Sequence, residues 1–247
     1  MTGRALASRF GRPLGCFAAA VSLAGCMATS SPGLELDVHL AHGAPDDPAA
    51  EAPLLFEASN GEPVAVRQAY VVPSSLELVP CASDALAEAI GGAIVSVARA
   101  HSEASPTRLG TPVVFDVASG ESRDVAWGTL RPPPRRYCAL RFGVLPADAD
   151  AVGMPADASL EGLSSRVAGV QGPPGEEVPF VFETSLAFDV NLPVDAARLE
   201  TAEPVTVRVE VTALDWFADV DFSSMDDDEI ARAVLTHIRD GIIVRYE

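Results

Sequence analysis

Strict alternation of apolar and polar residues is the feature that most limits how this chain can fold. In Val205–Thr212 (VTVRVEVT), valines occupy every second position and more polar residues lie between them. Leu34–Leu40 (LELDVHL) repeats the pattern with leucine and valine. Because successive side chains of a strand point to opposite faces, a period of two predicts a strand with one buried face. Both segments are therefore predicted to be half-buried strands.

Weaker forms of this pattern recur along the chain between turn signals, as at Asn60-Gly61 and in GPPG at 172–175. Many short strands separated by such turns favour an antiparallel β-sandwich, immunoglobulin-like or jelly-roll-like. We expect residues 34–247 to form this single domain. The further predicted strands are Pro63–Tyr70, Ser75–Pro80, Val113–Val117, Tyr137–Leu145, Phe180–Thr184, Leu186–Leu192 and Ile242–Tyr246.

Two segments are predicted to be short helices. Ser83–Ala98 is rich in alanine, although a pair of glycines weakens the pattern. The second helix follows Ser224, where acidic residues fill the first turn and complement the helix dipole. Ser224 and Asp227 resemble a capping box, apolar residues recur every four positions over 230–238, and Gly241 is predicted to end the helix.

The N-terminus has the features of a bacterial lipoprotein signal. Residues 1–13 contain three arginines and no acid, and a mostly small, apolar run of about a dozen residues follows. That run is too short to cross a bilayer core of ~30 Å as a helix. It ends in LAGC at 23–26, which resembles a lipobox. We expect residues 1–25 to be the signal peptide, Cys26 to be lipidated and 26–33 to be a tether. The alternative is an ordinary cleaved signal that happens to contain Cys26.

Lipidation predicts a location in the cell envelope. Met27 follows the lipidated cysteine, where an aspartate would favour retention in an inner membrane. We therefore expect a protein of the outer membrane that faces the periplasm or the exterior and contacts the membrane through the lipid on Cys26.

The charge of the chain limits its partners. The sequence contains no lysine, and its 17 basic residues, all arginine, are outnumbered by 35 acidic ones. Because three arginines leave with the signal peptide, the mature chain has a net charge near −21. This charge argues against nucleic acid and against broad contact with anionic lipid. It favours solubility and basic or cationic partners.

The cysteines have different predicted fates. Cys16 leaves with the signal peptide and Cys26 takes the lipid, so Cys81 and Cys138 remain in an exported, oxidising setting. A disulfide between them is the simplest pairing. The alternative is a pair of thiolate metal ligands, although two cysteines so far apart lack the usual C-x-x-C spacing.

Histidines provide the most specific hypothesis for a functional site, which is a metal site. His39, His42 and His101, with Glu103 or an aspartate, are candidate ligands for copper or zinc, because imidazole suits both ions. On a continuous strand His39 and His42 would point to opposite faces, so one shared ion requires the strand to end near Leu40. The alternative is that each histidine is a surface or hydrogen-bonded imidazole.

Signatures of catalysis are missing from the sequence. It contains no G-x-S-x-G elbow, P-loop, dinucleotide fingerprint or H-E-x-x-H motif. We therefore expect a binding protein and not an enzyme. Trp127 and Trp216 are interpreted as core or rim aromatics.

The chain contains the scattered motifs LELVPC at 76–81, RYCALRF at 136–142, LDWF at 214–217 and an acidic closing helix. Together they resemble the MbnP-like lipoproteins, the small β-sandwich partners of "metallo-mystery pair" systems. The resemblance implies an exported, copper-associated protein working beside a di-haem peroxidase-like enzyme that oxidises a tryptophan. The chain departs from the pattern at Pro134-Arg135, where the family has Pro-Gly. The competing functional hypothesis is a structural or partner-binding envelope lipoprotein without metal, since a fold does not define a function.

Overall fold

The computed structural model describes residues 34–42, 53–81, 104–118, 124–200, 203–212 and 215–247. Within these ranges the chain is mainly β, as predicted, and has two helices. The helix near the C-terminus was predicted, whereas Ala196–Leu199 was not. The predicted signal peptide, the tether and helix Ser83–Ala98 lie outside the described residues. The strands are β1 (Leu36–His42), β2 (Leu54–Glu57), β3 (Pro63–Val71), β4 (Pro73–Pro80), β5 (Arg108–Leu109), β6 (Phe115–Asp116), β7 (Asp124–Leu130), β8 (Tyr137–Val144), β9 (Ser165–Gln171), β10 (Val178–Thr184), β11 (Phe188–Leu192), β12 (Val205–Val211) and β13 (Ile242–Tyr246). The helices are α1 (Ala196–Leu199) and α2 (Asp227–Asp240).

The two strongly alternating segments are neighbours in one sheet, here called sheet A, with strand order β13-β12-β1-β7. β1 pairs antiparallel with β7 and parallel with β12, which adds a parallel pair to the predicted antiparallel architecture. The apolar positions of both strands are buried, because their side chains face the core. The polar positions therefore lie together on the opposite face of sheet A.

Two further sheets complete the sandwich. Sheet B has the order β10-β9-β3-β2, with β6 also paired to β3, and sheet C has the order β11-β8-β4-β5. All strand pairs in these two sheets are antiparallel. Only Val72 separates β3 from β4, so one long segment passes from sheet B into sheet C. Buried residues of all three sheets form one hydrophobic core.

An aromatic cluster fills part of this core. Trp216 is 0% exposed, and its ring stacks 5.7 Å from that of Phe56. Its indole Nε1 donates a hydrogen bond of 2.9 Å to the carbonyl oxygen of Thr212, which satisfies the buried N–H. Trp127 lies at the rim, edge-on to Phe142 at 5.9 Å. Both tryptophans thus have the predicted core and rim positions.

Helix α2 has a different cap from the one predicted. Asp226 is the N-cap, its Oδ1 accepts from the Glu229 amide at 2.8 Å, and Oε2 of Glu229 accepts from the Asp226 amide at 3.2 Å. The predicted pairing of Ser224 with Asp227 is wrong because Ser224 donates instead to Asp221, at 2.9 Å. The predicted end of the helix is confirmed by the C-cap glycine at 241. No helix in the described part of the chain has the length and apolar character needed to span a membrane.

Candidate functional site

The predicted disulfide between Cys81 and Cys138 is present in the structure. The two Cα atoms are 4.9 Å apart, and 57 residues separate the cysteines in sequence. Cys81 directly follows β4 and Cys138 is the second residue of the adjacent β8. The Cys81 amide also donates to the Arg136 carbonyl oxygen at 3.1 Å, which continues the pairing of the two strands. The alternative of two thiolate metal ligands is therefore wrong for these residues.

A small groove of about 240 Å³ adjoins the disulfide. Arg135 lies over the ring of Tyr137, 5.8 Å from its centroid, and the Tyr137 hydroxyl donates to the Pro133 carbonyl oxygen at 2.9 Å. These contacts hold the proline-rich turn before β8 against the strand. The groove thus contains structural contacts around the disulfide.

His39 lies on the outer, polar face of sheet A. Register places it between Arg208 of β12 and Ala126 of β7. Its Nδ1 atom is 2.6 Å from Oδ1 of Asp124, at the start of β7. The contact fixes the imidazole ring, because one nitrogen is engaged by a carboxylate of the neighbouring strand.

The contact of His39 is part of a longer chain of charges across sheet A. Oδ2 of Asp124 lies 3.1 Å from Nη1 of Arg208, and Nε of Arg208 lies 3.3 Å from Oε1 of Glu247. One carboxylate therefore contacts a histidine and an arginine, and the arginine contacts a second carboxylate. Asp124, Arg208 and Glu247 were not predicted as site residues from the sequence. The alternation of β12 could have placed Arg208 on the outer face, whereas its pairing with Asp124 depends on the sheet order.

The geometry leaves Nε2 of His39 as the ring atom available to a ligand. In the described ranges this nitrogen makes no hydrogen bond, and the side chain is partly exposed. A carboxylate on the opposite ring nitrogen is the usual support for a metal-binding histidine, since it orients the ring and raises its basicity. One histidine supplies one ligand, and a metal site needs at least two more.

His42 does not join His39. β1 remains paired with β12 through His42, so the strand does not end near Leu40. Three residues apart on one strand, the two histidines point to opposite faces. His42 belongs to the core side and is 3% exposed. The condition for a site shared by His39 and His42 is therefore not met.

The remaining candidate metal ligands are outside the part of the chain that the structure describes. His101 and Glu103 lie outside the described residues, as does the predicted lipidation site Cys26. Among the described residues, no group of three or more histidine, cysteine, aspartate or glutamate side chains is arranged to hold a metal ion. A single ion bound by both His39 and His42 is therefore excluded, and a copper or zinc site formed by His39 with His101 stays a prediction.

A second histidine–carboxylate pair lies beside α2. Nε2 of His237 is 3.1 Å from Oδ2 of Asp219, and both line a shallow surface depression of about 400 Å³. Glu229 and Arg232 line it too. Asp219 is largely exposed to solvent, so the pair is weakly held. It resembles the His39–Asp124 pair in composition but lacks the extension to an arginine.

The acidic loop before α2 is explained by local hydrogen bonds. Asp221 accepts from the Ser223 hydroxyl at 2.6 Å, from the Ser223 amide at 2.9 Å and from the Ser224 hydroxyl at 2.9 Å. These bonds, led by that of the Ser223 hydroxyl, hold the pKa of the Asp221 carboxyl below its ordinary value. The carboxylate therefore organises the turn that leads into the helix.

Comparison with known proteins gives a distant structural likeness. No family model matches the chain, and no curated protein matches it. Its fold is similar to that of MbnP from Methylosinus trichosporium, with a TM-score of 0.37 and 13% sequence identity over 77% of this chain and 78% of that chain. The likeness is one of fold alone. At this identity and TM-score it carries no argument about metal, partner or location.

Proposed function

We propose that this chain is a lipid-anchored envelope protein whose β-sandwich binds other molecules and catalyses no reaction. The observation that carries the proposal is the disulfide between Cys81 and Cys138. Disulfides persist in oxidising compartments outside the cytoplasm. An exported domain is what the lipobox-like LAGC at 23–26 predicts, and Cys26 is the proposed anchor to the outer membrane.

Binding without catalysis is supported by the environment of the histidines. In the described part of the chain, the His39–Asp124 and His237–Asp219 pairs are within hydrogen-bond reach of carboxylates. Neither ring forms a hydrogen bond with a serine, threonine or cysteine side chain there. A histidine–aspartate pair needs such a nucleophile to work as a hydrolytic triad.

Fractionation of cells that produce the full chain tests the anchor. The unchanged protein is expected to be in the membrane fraction and to incorporate labelled fatty acid. Cys26→Ala is expected to release it into the soluble fraction and to abolish labelling, whereas Cys16→Ala, within the signal peptide, leaves both unchanged. A Cys26→Ala protein that stays membrane-bound and labelled would overturn the proposed anchor.

A second candidate function is copper binding, in which a di-haem peroxidase-like enzyme would be the partner. The observation that favours it is the carboxylate-oriented ring of His39, with Nε2 free of hydrogen bonds in the described ranges. Imidazole is a good ligand for copper. Further ligands would come from outside the described residues, with His101 as the first candidate.

Copper titration of the exported, chelator-free chain tests this candidate, and the sequence offers a matched control. His39→Ala and His101→Ala are expected to abolish stoichiometric uptake. His237→Ala removes a second histidine that contacts an aspartate and is expected to leave uptake unchanged. No uptake at micromolar copper, or equal loss in all three variants, would contradict copper binding at His39.

A further inference from the structure

The outer face of sheet B is apolar over the width of four strands. Register places Leu55, Ala65, Val170 and Pro179 side by side on β2, β3, β9 and β10. Their strand neighbours point to the opposite face, where residues such as Phe180 are buried in the core. Leu55 is 77% exposed. The row therefore presents apolar side chains to solvent.

A second row extends this surface. Val181 of β10 pairs with Ala168 of β9, which in turn pairs with Gln68 of β3. Val181 is 50% exposed. We call the two rows the apolar face: Leu55, Ala65, Val170, Pro179, Ala168 and Val181. Single exposed leucines and valines are normal, and it is the adjacency of these six residues on one face that distinguishes them.

Glutamates border one end of the apolar face. The β2–β3 turn and the β9–β10 turn are adjacent, because the Gly172 amide donates to the Pro63 carbonyl oxygen at 2.9 Å. The two turns contain no arginine. Among the described residues, none of their glutamates forms an ion pair. We call these four the acidic rim: Glu57, Glu62, Glu176 and Glu177.

The acidic rim differs from the outer face of sheet A, where carboxylates form ion pairs with arginines. On the outer face of sheet A, Asp124 and Glu247 contact Arg208, and Glu35 contacts Arg131 at 3.0 Å. At the far side of the apolar face, Glu183 likewise pairs with Arg166 at 3.0 Å. The acidic rim lacks such internal neutralisation, so its negative field is available to a partner.

We propose that the apolar face and the acidic rim dock a basic protein, whose contact patch has an apolar centre bordered by arginine or lysine. A second copy of this chain is disfavoured, because it would bring the same glutamates and a net charge near −21. Anionic phospholipid is disfavoured for the same reason. Four strands about 4.8 Å apart make the patch roughly 15 Å wide, which suits a transient contact.

This inference deepens the proposed binding function by naming the class of partner. Its test uses the exported full chain, purified in a non-ionic detergent, and a fluorescent peptide with a Val-Leu-Phe centre flanked by arginines. Anisotropy is expected to show saturable binding that weakens several-fold as added salt screens the rim. A peptide with glutamate in place of every arginine is expected not to bind.

Paired substitutions locate the binding. Leu55→Ser with Val181→Ser removes the most exposed leucine and valine of the apolar face and is expected to weaken binding about tenfold. Glu→Gln at all four rim positions is expected to weaken it several-fold and to reduce the salt dependence. The matched control, Leu186→Ser with Ile243→Ser, changes exposed apolar residues outside sheet B and is expected to have no effect.

Several outcomes would overturn the proposal. They are an absence of saturable binding, equal binding of the acidic peptide, or equal loss in the control variant. Self-association that Leu55→Ser with Val181→Ser abolishes would identify a second copy as the occupant. Capture of the Cys26→Ala protein by vesicles of anionic phospholipid, lost with Leu55→Ser and Val181→Ser, would identify a membrane as the occupant. Peptide binding does not require the lipid, so Cys26→Ala is expected to keep it. Fractionation tests the anchor and peptide binding tests this docking surface, so the two failures are distinguishable.

Discussion

Nε of Arg245 lies 2.8 Å from Oε1 of Glu210, a residue that is only 1% exposed. The pair joins β13 to β12. The contact is an ion pair and not a hydrogen bond, because no donor in the described ranges is aligned with Oε1 of Glu210. Arg245→Met would leave a buried carboxylate without its cation. We expect a loss of about 2 kcal/mol in the free energy of unfolding, measured in urea.

Arg239→Met is the control for that prediction, because Arg239 pairs with the exposed Asp240 at 2.7 Å. An exposed pair between chain neighbours contributes close to nothing. Equal destabilisation by Arg239→Met and Arg245→Met would contradict a specific role for the buried carboxylate.

The disulfide is expected to stabilise the domain by restricting the unfolded chain. For cysteines 57 residues apart, the chain-entropy model gives roughly 4 kcal/mol. Replacing both Cys81 and Cys138 by alanine should lower the free energy of unfolding by about this amount, and reductant should bring the unchanged protein to the same value. Rapid alkylation of either cysteine in native, unreduced protein would show that the bond is absent.

Trp216 lies in the aromatic cluster, so truncation of its side chain is expected to lower the stability of the domain strongly. Trp216→Ala would leave a cavity beside Phe56 and is expected to cost about 3–5 kcal/mol. Leu55→Ala, at a side chain that is 77% exposed, is expected to change stability by less than about 0.5 kcal/mol. Thermal unfolding of both variants compares them directly, and similar melting temperatures would contradict the described core.

Alkaline pH is expected to destabilise the domain through Tyr246. Burial raises the pKa of this phenol from 10.0 to about 12, and its hydroxyl donates to the Pro193 carbonyl oxygen at 3.1 Å. Because the native state keeps the proton longer than the unfolded state, the contribution is complete below pH 10 and is lost as the pH rises towards about 12.

Ultraviolet titration of tyrosinate, with Tyr246→Phe as the comparison, measures this effect. The variant should lack the step at highest pH, and its stability should fall less between neutral pH and pH values above 10. An unchanged last step in Tyr246→Phe would assign that ionisation to another tyrosine.

The observed N-cap of α2 predicts which of two substitutions lowers stability more. Asp226→Ala removes the acceptor for the Glu229 amide and is expected to cost about 1 kcal/mol in urea unfolding. Ser224→Ala, at the position that the sequence favoured, removes only a hydrogen bond to Asp221 and should cost less. A larger loss of stability in Ser224→Ala than in Asp226→Ala would identify Ser224 as the cap.

Local patterns predicted the strands whose alternation is strong. β1, β12 and β13 follow from their apolar periodicity, as does the apolar stripe of α2. β7 and β9 were missed because glycines interrupt their patterns at 128 and 169, and a bulge at Trp127 shifts the register of β7 against β1. Pairing with neighbouring strands compensates for these interruptions, and a single sequence does not show it.

The candidate site required information that is not local. The sequence spacing shows that His39 and His42 point to opposite faces of a continuous strand. Whether β1 continues that far is set by its pairing with β12, which joins His42 to Val211. The contact of His39 with Asp124 spans 85 residues. The disulfide was predictable because only two cysteines remain once the predicted signal peptide and the predicted lipid site are set aside, so pairing required no knowledge of the fold.

Intact-mass spectrometry of the protein extracted from membranes tests whether the chain is a lipid-anchored envelope protein. We expect one species that lacks residues 1–25, carries lipid on Cys26, and weighs two hydrogens less than the reduced form because Cys81 and Cys138 are joined. A species that retains residues 1–25, or one that begins elsewhere with Cys26 unmodified, would contradict a lipid-anchored envelope protein.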